Sequence, residues 1–244
     1  MIGMEPQAPA VKSGKATSAA GNAGLDDLLE RSRTLYERAV FEGDASALEI
    51  ADRELDQAEA DLAVARGVVI HGRFLVQRDQ DPQQAREDPD ELPLFEYAAD
   101  LYQAGGDVRG QARALFWVGC CHQVVRRDND AAVPVLQQSL ELATAARDTA
   151  TMSEALRHLG IADHAAGRLD SARERLEESS RLRREAGLLP GVASNMVGLA
   201  YIAAAQGRRD DAPAILDEAA AIAKASGARS IMRHIEEART DLSA

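Results

Sequence analysis

Residues 112–187 read ARALFWVGCCHQVVRRDNDAAVPVLQQSLELATAARDTATMSEALRHLGIADHAAGRLDSARERLEESSRLRREAG, and one helix-pair unit is written twice in them. Laid one over the other, the copies set Gly119 over Gly160, 41 residues on. Leu136, Ser139 and Leu142 fall over Leu176, Ser179 and Leu182, 40 residues on. A further step of 40 lands on Ala200, Leu216, Ala219 and Ile222, and a step of 41 back from the second helix lands on Phe95, Ala98 and Leu101. Large and small apolar residues recurring in fixed columns are how stacked helical repeats are written. The small ones let helices approach and the large ones fill the gap. Such arrays are scaffolds whose ligands are set by a few surface residues, so the columns predict architecture and leave function to other positions.

Composition narrows the classes. The 244 residues are 45% hydrophobic and 28% charged but only 4% aromatic, which fits close-packed helices better than a β-sandwich. The net charge is −12, and only three of the 28 basic residues are lysines, Lys12, Lys15 and Lys224. An acidic surface repels phosphate backbones, so no nucleic-acid partner is expected. No apolar run approaches the ~20 residues of a membrane span. The N-terminal MIGMEPQAPAVKSGKATSAAGNAG lacks the apolar core of a signal peptide. Cys120 and Cys121 are adjacent within a predicted helix, where a vicinal disulfide would distort the backbone. Two reduced thiols in a cytoplasmic protein are the expectation.

Residues 1–23, rich in Ala, Gly, Ser and Pro, read as a disordered tail, and residues 24–244 as a single helical repeat domain. A helix is expected over about 25–42, with Gly43-Asp44 ending it, and one long helix over 45–77. The polar, proline-bearing stretch at about 78–92 is a long loop, read as a tolerated insertion in preference to a functional lid. Helices then follow over about 93–104, 108–126, 130–146, 150–166, 170–186, 190–206 and 210–226, and a capping helix closes the array at about 228–242. Asp130 and Asp170 are expected as N-caps, and Pro93, Pro134 and Pro213 within first turns. The basic run Arg181, Arg183 and Arg184 reads as an answer to a helix dipole.

With these columns in place, the chain resembles the tetratricopeptide repeat family in its stretched form of about 40 residues per unit. ALRHLGIADHAAGRLDSARERLEESSRL, residues 155–182, carries the likeness best. Leu159-Gly160 matches the family's Leu-Gly pair, Gly167 its turn, and Ala172, Leu176 and Ser179 its second helix. The family's Tyr late in the first helix is replaced by Asp163 or His164. The likeness covers about residues 60–227. It implies an all-α, right-handed α-solenoid of stacked antiparallel helix pairs, about ten helices in all. Related arrays look like those of bacterial regulators, where they stand beside DNA- or nucleotide-binding domains. No GxxxxGK[ST] loop is present here, and an array standing alone is the simplest account.

The resemblance also implies that the first helix of each pair lines a concave groove. Its candidate contacts are Arg113, Phe116, Trp117, Cys120 and Gln123 from one unit. Glu154, Arg157, His158, Ile161 and His164 come from the next, and Asn195, Val197 and Tyr201 from the last. Such an apolar strip flanked by Arg and His suits a peptide or partner protein, with Arg pairing a carboxylate. A non-catalytic scaffold is therefore the first reading. The alternative is a small-molecule sensor, or an enzyme of specialised metabolism, using the same groove. The plain reading of Phe116 and Trp117 is inter-repeat core. No cofactor is implied. No metal site is expected, because His158 and His164 lie about 240° apart round a helix and Cys120, Cys121 and His122 splay at about 100° steps.

Finally, the long helix overhangs the stack by roughly three turns, at 3.6 residues per turn. Leu48, Ile50 and Leu55 on the overhang need covering, either by the 25–42 helix or by a second copy of the chain. A homodimer through the N-terminal helices is the expectation.

Overall fold

The computed structural model describes residues 17–243, with side chains from residue 24 onward. The described chain is helical throughout, without strands, in ten α-helices. These are α1 (Thr17–Glu42), α2 (Ser46–Gln80), α3 (Glu91–Gly105), α4 (Val108–Cys120), α5 (Asn129–Ala145), α6 (Thr149–Ala165), α7 (Leu169–Glu185), α8 (Leu189–Ala205), α9 (Ala212–Ala225) and α10 (Arg229–Ser243). The expected tail over 1–23 lies outside the described residues as far as residue 16, and α1 is already helical from Thr17.

Two compact units divide the chain at Asp56 and Gln57, within α2. In the first unit, α1 and the start of α2 form a hairpin through Gly43, whose φ of 75° is the left-handed conformation that glycine adopts without steric cost. Leu35, Ala47 and Ala51 form its small core, with Ala39 and Ile50 packed against them. Arg31 pairs with Glu54 across the hairpin. Ile50 is thus partly covered within the chain, while Leu48 and Leu55 remain exposed.

The second unit is a run of adjacent antiparallel pairs: α4 with α5, α6 with α7 and α8 with α9. Alternate helices α4, α6 and α8 also touch in turn, so they form one layer. The amphipathic α10 packs on α8 and α9 and buries Ile235 and Ala238. The columns read from the sequence do the packing. A Cβ on Gly119 would stand 2.6 Å from Leu136 Cγ, and one on Gly160 3.2 Å from Leu176 Cγ. The serine column has a use beyond its size. Ser139 Oγ donates to the Ala112 carbonyl at 2.8 Å and Ser179 Oγ to the Ser153 carbonyl at 2.6 Å. Each therefore ties the second helix of its pair to the first.

Several local expectations are corrected. Asp128 caps α5, accepting from Ala131 N at 2.9 Å, and α7 has no side-chain cap. Asp130 and Asp170 fall inside the first turns instead, two places after the N-cap residues Asp128 and Arg168. Pro134 is the sixth residue of α5, not in its first turn. The long loop is shorter than expected, because α2 continues to Gln80 and α3 starts at Glu91. The expected 108–126 helix ends as α at Cys120 and continues as a π turn, Cys121–Val125. Of the basic run, Arg183 and Arg184 stand in the last turn of α7, and the Arg183 side chain is buried.

Candidate functional site

A cavity of about 720 Å³ opens among α2, α4, the π turn and α6, all within the second unit. One wall is aromatic. Trp117 stacks on Phe95 with centroids 5.6 Å apart and meets Phe116 and His71 edge-on at 5.0 and 5.4 Å. Phe116 is itself core, packed with Leu136 and Leu159, as the plain reading has it. Trp117 packs against the core and still lines the cavity.

The floor is a chain of buried polar groups. Glu91 Oε1 lies 2.7 Å from His71 Nδ1, and the Glu91 carboxylate also neighbours the Cys121 thiol. His71 Nε2 is 3.7 Å from Cys120 Sγ, which is in turn 4.0 Å from His158 Nε2. His158 Nδ1 lies 2.6 Å from Gln123 Oε1. An amide oxygen only accepts, so the proton is on Nδ1 and Nε2 is bare. Gln123 Nε2 donates onward to the His158 carbonyl and to Asn129 Oδ1, both at 3.0 Å. Burial, and then the Arg157 and Arg183 charges, pull the His158 pKa down to about 3, so this ring is neutral. Burial pushes the Cys120 thiol well up, keeping it protonated. Among the described residues no group of three His, Cys, Asp or Glu side chains is placed to hold a metal ion.

The second wall carries charge. Arg183 donates to Glu154 Oε2 at 2.6 Å and to the Gly191 carbonyl at 2.9 Å. Asn195, fully buried, is fixed by donating to Ser179 and Ser180, and its Oδ1 accepts from Arg157 Nη1 at 2.9 Å. Among the described residues Arg157 therefore has an amide as its hydrogen-bond partner and no bonded carboxylate. Burial and the neighbouring Arg183 charge pull its pKa down to about 10. Two guanidiniums thus stand near a single carboxylate, Glu154, which is bonded to Arg183 alone. Arg78 and Arg127, also on the cavity lining, have no ion-pair partner among the described residues. Arg113 is held apart by Asp61 at 2.7 Å and Tyr102 at 2.8 Å.

Nine of the residues expected in the groove meet here: Arg113, Phe116, Trp117, Cys120 and Gln123, with Glu154, Arg157, His158 and Ile161 opposite. Three do not. Asn195 lies beneath the lining and positions Arg157. Tyr201 donates to Asp241 at 2.8 Å and lines a smaller cavity of about 210 Å³ with Val197, Arg157 and Ile161. His164 lines neither cavity and ends α6, its carbonyl receiving Gly167 N. Sequence reasoning missed His71, Glu91, Arg78, Arg127 and Arg183. The one signal for His71 is its place, with Arg73, as a polar residue inside the otherwise apolar run GVVIHGRFLV.

Compared with known proteins, the chain matches no protein-family model and no curated protein.

Proposed function

We propose that this chain is a binding protein whose pocket takes a small organic anion, its apolar body against Trp117 and its carboxylate at Arg157. The observation that carries this is Arg157, a guanidinium drawn out of water with only an amide oxygen to meet it. A fork of donors in that state favours a bidentate carboxylate. The volume of about 720 Å³ lies inside the roughly 300–1,000 Å³ of small-molecule sites. The helix pairs are read as a right-handed, tetratricopeptide-like solenoid, which sets α4, α6 and α8 along one concave side.

A second reading has its own observation. The two cavities share Arg157 and Ile161, so an extended ligand could run from one into the other. A peptide with its terminal carboxylate at Arg157 would use both.

Titration calorimetry with 3-phenylpropionate and indole-3-acetate, each against its neutral amide, tests the first reading. The acids should bind at least tenfold tighter, Arg157→Gln should erase the difference, and Arg157→Lys should keep part of it. Amides that bind as well as acids would sink it. Binding of a peptide that is lost on C-terminal amidation, with no binding of either acid, would put the second reading in its place.

A further inference from the structure

We infer that the outward face of α2 is a self-pairing seam that joins two copies of this chain antiparallel. In the second unit this face carries Leu62, Val69 and Val76 at steps of seven, exposed to 65%, 51% and 57%. Ala58, Ala65 and Gly72 stand between them, four residues before each. Ala60, Ala63 and Val64, on the other side of the helix, are buried in the core with α3 and α4. Large and small residues alternating at steps of three and four form a coiled-coil seam. Its large positions are exposed among the described residues.

Size selects the partner and its direction. Run antiparallel to itself, α2 sets large residues of the seam opposite small ones: Leu62 against Ala65 of the second copy, and Val69 against Ala58. Run parallel, it sets leucine on leucine and alanine on alanine, leaving gaps at every second layer.

Charge selects the register. Beside the seam lie Glu59 and Arg66, seven residues apart and both exposed. Glu59 accepts from Tyr97 Oη at 2.6 Å, and Arg66 has no ion-pair partner among the described residues. In the register given, Glu59 of each copy faces Arg66 of the other. A shift of one heptad in either direction sets Glu59 opposite Glu59 or Arg66 opposite Arg66. The sequence continues both columns, with Asp52 seven before Glu59 and Arg73 seven after Arg66, and Leu55 and Leu48 seven and fourteen before Leu62. Acidic residues toward one end and basic toward the other make the helix complementary to its own reverse.

Light scattering on the full chain should report about twice the 26.2 kDa of one chain. Glu59→Arg and Arg66→Glu should each weaken association at least tenfold, since each places like charges together. Leu62→Gln, at an exposed position, should do so without altering charge. Mixing the Glu59→Arg and Arg66→Glu proteins should restore a dimer holding one of each, read by native mass spectrometry, because both cross-pairs are then opposite in sign. A monomeric wild type at tens of micromolar would show the seam covered within the chain, by α1, and overturn the inference. So would a dimer indifferent to the three substitutions, or a mixture that stays monomeric.

Discussion

The two walls of the cavity are one pattern used twice. α4 and α6 correspond at 41 residues, the offset of Gly119 and Gly160, and Ala114 and Ala155 repeat as buried small residues. At the same offset, positions facing the cavity differ completely: Arg113 answers to Glu154, Phe116 to Arg157, Trp117 to His158 and Cys120 to Ile161. One copy supplies an aromatic wall and the other a charged one. The second helices show the same division, with Ala143 in α5 where α7 has the buried Arg183. Columns that hold helices together are kept between copies, and columns that face the cavity are spent on chemistry. A site with an apolar half and a polar half follows from two copies that agree in packing and disagree in lining.

The comparison breaks most visibly if the scaffold columns are unequal. Leu136 and Leu176 are both fully buried, so Leu136→Ala and Leu176→Ala should each cost about 3 kcal/mol in denaturant unfolding. A large gap between them would mean the copies are not energetically equivalent.

A smaller effect isolates the charged wall. His158 is held neutral in the fold, its pKa lowered to about 3, while the unfolded chain takes up the proton near 6.5. Its contribution is therefore complete above pH 6.5 and is lost as pH falls below that value. By pH 5 the loss should reach about 2 kcal/mol. The stability of His158→Gln should fall less steeply between pH 6.5 and 5, and parallel curves would count against the assignment.

The smallest effect compares the two glycines. An added Cβ at Gly119 meets Leu136 Cγ and Cδ2 at 2.6 and 2.7 Å, whereas at Gly160 the nearest atom is 3.2 Å away. Gly119→Ala should cost about 1–2 kcal/mol after the gain in helix propensity, and Gly160→Ala close to none. The melting temperatures of the two variants check this, and the reverse order would place the tighter helix crossing in the other copy.

What the sequence made legible was what is local or periodic. Columns at 40 and 41 residues located the helices to within a few residues from α3 onward, and most of the groove followed. What escaped was long-range and polar. Glu91 meets His71 across 20 positions, and Arg183 meets Glu154 across 29. No periodicity announces such pairs, because burial, not spacing, demands a partner. The π turn escaped for a related reason. Its residues CHQVV look like ordinary helix, and what distinguishes them is the backbone bond of Arg126 N to the Cys121 carbonyl, five residues back, at 3.2 Å. Asp163 was noted only as a missing Tyr. It is buried, accepting from Ser171 at 2.6 Å and Arg168 at 2.8 Å, so a polar clasp fills the space of a ring.

The turns carry a rule of their own. Positive φ recurs at residues 127, 147, 167, 187, 207 and 227, one every 20 positions, the last four being glycines and the first two Arg127 and Arg147. An α-helix rotates about 100° per residue. A single insertion inside one of these blocks would therefore swing every lining residue beyond it, up to the next turn, off its wall. The length of the block is a constraint on descent: this array can gain or lose a whole 40-residue helix pair outside the pocket and keep its layers, but it cannot drift by ones and twos.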